Sequence, residues 1–171
     1  MKVALAQINT TVGDISGNLK RIHVFANKAK ALGAALTVFP EQTLAGYPAL
    51  DLWEERAFVK ANQKALKELA ASTGEMGLLV GCIAQNPSPL GKPVANAAAL
   101  LHRGRVAAVR WKSLLPTYDV FDEARYFEPA QTNASIRFLG KKIGVSICED
   151  AWSAEVSRKR RLYAKDPVAS Q

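Results

Sequence analysis

Histidine and cysteine are scarce in this chain, with two of each in 171 residues. His23 and His102 supply too little imidazole for a zinc cluster or a histidine-built triad. Cys82 and Cys148 both lie in apolar runs and lack metal-like spacing, which argues against a zinc site and a disulfide scaffold. No apolar run approaches the roughly 18 residues that a membrane span needs. The opening MKVALAQINTTVGD carries one basic residue and then alternates apolar and polar side chains, a pattern too short and broken for a secretory leader. It reads as the first strand of a mature cytoplasmic protein without a membrane partner.

What is present fits one soluble domain. The 49% hydrophobic and 22% charged content allows a sizeable core and gives no sign of disorder. The net charge is +8, and its most biased stretch is the end. From Glu155 onward, Arg158, Lys159, Arg160, Arg161 and Lys165 face only Glu155 and Asp166. Residues 153–171 are therefore set apart as a basic C-terminal tail, read as a solvated helix or frayed end. With no nucleic-acid motif beside it, nucleic acid is not expected as a partner.

Hydrophobic spacing orders the elements. Lys2 to Ile8 alternate as a half-buried strand, and from Gly17 the residues Leu19, Ile22, Phe25, Ala26, Ala29 and Leu32 follow helical spacing, closed by Gly33. AALTVF then reads as a buried strand ending at Pro40. A second helix carries Phe58, Ala61, Ala65, Leu66 and Leu69 and is expected to end at Gly74, before the strand LLVGCIA with Cys82 as an apolar filler. This strand–helix alternation predicts an α/β layer. Beyond NPSPLGKP the pattern changes to two hairpins: VANAAALL with RVAAVRWK across HRGR, and ASIRFLG with KIGVSIC joined at Gly140 and Lys141. A long loop, SLLPTYDVFDEARYFEPAQTN, separates them, and long ordered loops tend to carry function.

The stretch GVSICEDAW places Cys148 at the end of an apolar run with two acids directly behind it. Neighbouring carboxylates disfavour the thiolate, so a nucleophilic Cys148 needs help from elsewhere. A helix beginning at EDAW would supply some. Two more reactive side chains sit at strand ends: Glu41 after LTVFP and Lys112 after VAAVRW. A carboxylate can take the thiol proton, and an ammonium favours both thiolate and oxyanion. Taken singly, each residue is more simply read as solvated, snorkelling or packed.

FPEQTLAGYPALDL, KSLLPTYDVFDEARYF and ICEDAW, together with KVALAQINTTVGDISGN, resemble the carbon-nitrogen hydrolase (nitrilase) superfamily. Within it they look like the N-terminal glutaminase domain of glutamine-dependent NAD synthetases. The resemblance covers most of residues 1–152. It implies an α/β fold, a four-layer α-β-β-α sandwich of the nitrilase type, incomplete here at the C-terminus. It also implies a Glu-Lys-Cys triad: Glu41 as general base, Lys112 as oxyanion stabiliser, Cys148 as nucleophile. Glu123 would be a supporting glutamate, Tyr47, Tyr118 and Phe121 would line a glutamine pocket, and Glu149 would lend its backbone N–H to the oxyanion.

The implied reaction is hydrolysis of the glutamine side-chain amide, without metal or cofactor, delivering ammonia to a synthetase domain that uses ATP and magnesium. No phosphate-binding loop of such a domain occurs here. A homo-oligomer is also expected. The competing expectation is a catalytically silent, truncated remnant that serves as a binding or oligomerisation module.

Overall fold

The computed structural model describes residues 1–152 and 163–171. The basic cluster of the tail, from Arg158 to Arg161, lies outside the described residues.

Strands β1 (Val3–Leu5), β2 (Leu36–Val38), β3 (Gly77–Gln85), β4 (Val94–His102) and β5 (Arg105–Trp111) form one sheet in that order. β1, β2 and β3 run parallel, and β4 is antiparallel to both β3 and β5. The parallel steps are bridged by α1 (Ile15–Ala31) and α2 (Arg56–Ala71). A second, two-stranded sheet consists of β6 (Ile136–Phe138) and β7 (Lys141–Ile143).

The period of two along β4 shows how the layers stack. Ala97, Ala99 and Leu101 join Ile22, Ala26, Ala65 and Leu69 in the core under the helices. Ala98 and Leu100 face the other way, against Ile136, Phe138, Val145 and Ile147. Helices, main sheet and hairpin are thus three layers, α-β-β, of the expected α/β sandwich among the described residues. On β1, at the edge of the main sheet, Val3 and Leu5 remain 44% and 69% exposed.

Local chemistry sets the element ends. α1 starts two residues before Gly17 because the Asp14 carboxylate accepts the Gly17 N–H at 2.9 Å. Its end follows the expected glycine rule: Gly33 has φ +73°, the Gly33 N–H bonds to Lys30 O and the Ala34 N–H to Ala29 O. α2 ends before Gly74. There the Ser72 and Thr73 hydroxyls donate to the carbonyls of Leu69 and Ala70, satisfying groups that a helix end leaves open.

Both hairpins turn through two residues of positive φ, Arg103–Gly104 and Leu139–Gly140. The second turn is therefore one residue earlier than the sequence suggests. β7 is also shorter than KIGVSIC, because its ladder with β6 stops at Ile143.

Candidate active site

Glu41, Lys112 and Cys148 leave different elements. β5 runs parallel to β2, so Lys112 and Glu41 follow strand ends on the same edge of the sheet. Two strands separate them in the sheet, and Gly81 shows how the gap is closed. A Cβ at Gly81 would collide with the backbone of Pro40, Glu41 and Gln42. The chain leaving β2 therefore crosses β3 in contact with bare backbone, an approach only glycine permits. The Leu44 N–H fixes the crossing by donating to Gly81 O at 3.2 Å.

After that crossing, the Lys112 ammonium donates to Glu41 Oε1 at 2.8 Å and to Glu123 Oε1 at 2.7 Å. Glu123 opens α3 (Glu123–Tyr126), a short helix within the long loop. Its Oε1 also accepts the Tyr47 hydroxyl at 2.7 Å. The Lys112 and Glu123 side chains are 0% and 1% exposed and Glu41 is 18% exposed, so only Glu41 offers an oxygen towards solvent.

Burial pulls the Lys112 ammonium down, but Glu41 and Glu123 overcome it and hold the lysine above its usual range. Burial pushes the Glu123 carboxyl up, against the opposing pull of Lys112. Burial also raises Tyr47, aided by its bond to Glu123, so its hydroxyl stays a donor.

Cys148 has φ +44° and opens a 3-10 turn, Cys148–Ala151. The helix expected at EDAW is this single turn, too short to lend the thiol a helix terminus. Cys148 is exposed at the cleft, yet the loss of water around its sulfur and then the charge of Glu41 push the thiol up, with Lys112 opposing. The thiol thus rests protonated near neutral pH. Cys148 shares a cleft of about 100 Å³ with Glu41, walled by Phe39, Gly81, Ala98 and Ile147. No hydrogen bond joins it to Glu41 or Lys112 among the described residues.

The two acids after Cys148 point elsewhere. The Asp150 carboxylate accepts the N–H groups of Ser113 and Leu114, both at 2.9 Å, and that of Ile147 at 3.3 Å. It ties the cysteine turn to the two residues after Lys112. Burial nonetheless raises the Asp150 carboxyl, against the lowering effect of these bonds. Glu149 is buried and accepts the hydroxyls of Tyr118 at 2.7 Å and Tyr163 at 2.8 Å. Tyr163 belongs to the basic tail, whose described end returns to the body; there Gln171 Nε2 also donates to Val145 O at 2.7 Å.

Tyr118, Phe121 and Tyr47 form an aromatic row, with ring centroids 5.6 and 6.3 Å apart, running towards Glu123. Asn96, Gln42, Asp150 and Tyr163 also build this site, and none is a candidate from the sequence. The visible signal was Asn96, a single amide in the otherwise apolar strand VANAAALL. Among the described residues, no three His, Cys, Asp or Glu side chains are grouped to hold a metal ion, and no helix is long and apolar enough to cross a membrane.

The sequence profile of the carbon-nitrogen hydrolases matches residues 2–166, the stretch that contains the buried lysine, its two glutamates and the cysteine. The chain belongs to that family of hydrolases. Among curated proteins it is similar to the glutamine-dependent NAD(+) synthetase of Synechocystis sp., 38% identical over 97% of this chain and 30% of that protein. The enzyme of the same name from Thermotoga maritima is 39% identical over 90% of this chain and 26% of its own length. The chain thus spans less than a third of these relatives. The structure resembles that of glutamine-dependent NAD+ synthetase from Acinetobacter baumannii, with TM-score 0.82 and 38% identity over 90% of this chain and 28% of that one. It also resembles an amidase from Nesterenkonia sp. AN1, with TM-score 0.73 and 25% identity over 91% of this chain and 60% of that one. The amidase variant in that structure carries the product of Michael addition of acrylamide at its active site cysteine.

Proposed function

We propose that this chain is the glutamine-hydrolysing part of a glutamine-dependent NAD synthetase, with Cys148, Glu41 and Lys112 as its catalytic residues. The observation that carries the reading is the Lys112 ammonium gripped by Glu41 and Glu123 at 2.8 and 2.7 Å, with Cys148 and Glu41 opening onto one cleft.

Cys148 Sγ attacks the side-chain carbonyl carbon of glutamine as its proton passes to Glu41. The raised thiol fits this order, because the proton leaves only as the new bond forms. Lys112, kept charged by its two carboxylates, and the backbone N–H of Glu149 stabilise the tetrahedral oxyanion. The carbon-nitrogen bond then breaks and Glu41 gives its proton to the departing ammonia, leaving a glutamyl thioester on Cys148. A water deprotonated by Glu41 attacks the thioester carbon, and glutamate leaves as Cys148 regains the proton.

Nucleophile, proton carrier and cation are all side chains, so this reaction needs no cofactor. Tyr47, Tyr118 and Phe121 form one wall of the glutamine pocket, and Glu123 orients Lys112. The ammonia is destined for a synthetase domain, which would use ATP and magnesium.

Ammonia release from glutamine checks the reading. Cys148→Ala is expected to lose hydrolysis by about 10⁴-fold or more, as when a covalent nucleophile is removed. Equal release by both proteins, or none by either, would instead support the silent-remnant reading.

A further inference from the structure

We propose that Asn96 is a positioning residue that holds the Glu41 and Glu123 carboxylates around Lys112, and that Gln42 fixes which end of the Asn96 amide they meet. The inference deepens the proposed glutaminase site and rests on that reading of Glu41.

Asn96 Nδ2 donates to Glu41 Oε1 at 2.6 Å and lies 3.3 Å from Glu123 Oε2. One amide nitrogen thus reaches both carboxylates, meeting Glu41 at the oxygen that also accepts Lys112 and Glu123 at the oxygen that does not. The orientation of that amide follows from bonding logic. Gln42 Nε2 lies 3.1 Å from Cys82 O, a backbone carbonyl, which can only accept. The nitrogen end of Gln42 must therefore face it. The same nitrogen donates to Asn96 Oδ1 at 2.8 Å, which leaves the Asn96 N–H groups for the glutamates. Both side chains are fully buried, and Gln42 takes φ +48° within the crossing over Gly81. A buried amide in an apolar strand is costly unless bonded, and here the bonding is directed at the site.

The charge count explains why an amide suits this position. Glu41 is faced by Lys112 from the end of β5, by Glu123 from α3, by Tyr47 from the loop after β2 and by Cys148 from the 3-10 turn, where Glu149 lies beside the thiol. Two carboxylates share one ammonium, so the cluster carries an excess negative charge. Asparagine adds donors without charge. Aspartate would add a third anion, and lysine would compete with Lys112 for its partners.

Carbon-13 NMR of the chain labelled at glutamate side-chain carboxyls tests this without requiring turnover. Glu41→Gln and Glu123→Gln identify the two signals. In Asn96→Leu, of similar volume, both signals should change chemical shift at neutral pH, as carboxylates that lose a donor do. Gln42→Leu, which releases the Asn96 amide to rotate, should move them in the same direction by less. The signal of Glu75, paired with Arg103 on the surface, should stay in place in both variants. Unmoved site signals in folded Asn96→Leu, or in Gln42→Leu if Asn96→Leu does not fold, would overturn the inference. A chain showing these shifts but no glutamine hydrolysis would sink the proposed function and leave the positioning role standing. Intact hydrolysis with unmoved signals would do the reverse.

Discussion

Lys112→Met is expected to lose glutamine hydrolysis and a large part of the stability of the fold together. Methionine retains much of the lysine volume but none of its charge, so the oxyanion loses its cation. Removing one such donor lowers the rate by about 10²- to 10³-fold. The stability loss comes from the carboxylates left behind. Glu123 is 1% exposed, and without Lys112 it and Glu41 become two buried or half-buried anions facing each other. Breaking a buried pair by removing one partner typically costs about 3–5 kcal/mol, a large share of the roughly 5–15 kcal/mol that holds a domain folded.

The pH dependence has a definite sign. Glu123 is raised in the folded chain, and a raised carboxyl contributes stability that is present below its unfolded value and lost as pH rises through the folded one. Without Lys112 that folded value climbs further. The deficit of the variant should therefore be largest at neutral and alkaline pH and shrink as pH falls towards about 5. In the unmodified protein the raised Lys112 acts in the same direction at higher pH: its contribution is intact below the usual lysine value of about 10.4 and is lost as pH rises through its folded value. Urea unfolding at several pH values measures both. A deficit independent of pH would show that the carboxylates are not the cause.

Glu41→Gln separates two roles that move in opposite directions. Turnover should fall by about 10²- to 10⁴-fold, because among the described residues Glu41 is the one carboxylate that lines the cleft with Cys148. Alkylation of Cys148 by iodoacetamide should instead speed up near pH 8, by about two- to five-fold. After burial, the largest influence raising the thiol is the charge of Glu41, while Lys112 lowers it. Glutamine at position 41 removes the first and leaves the second less neutralised. Slower alkylation would mean that Glu41 supports a resting thiolate, contrary to a thiol that loses its proton only during attack.

The sequence conveys the periodic part of this molecule better than the crossings. α1, α2 and the first hairpin are legible because their apolar residues recur at helix or strand spacing and glycines sit at the positive-φ turns. Lys112 and Glu41 could be placed just past strand ends for the same reason, whereas Cys148 lies five residues beyond β7. Their distances could not, because they depend on the chain passing over β3 at Gly81, a close approach that no local pattern encodes. The acids after Cys148 illustrate a second limit. In sequence they read as charges beside a thiol; in the fold Asp150 accepts three backbone N–H groups and Glu149 two phenols, so their direction depends on partners remote in the chain. Asn96 and Gln42 escape periodic reading altogether, since a buried amide reveals its role only through the groups it bonds. Among the described residues, the helix anticipated at EDAW is a single 3-10 turn.

The most direct measurement uses a glutamine analogue with a chloromethyl ketone in place of the side-chain amide. The expected result is one label per chain, on Cys148 by peptide mass, formed more slowly when glutamine competes and not formed in Cys148→Ala. Labelling at another residue, or labelling of Cys148 that glutamine does not slow, would contradict a glutamine site built on that sulfur.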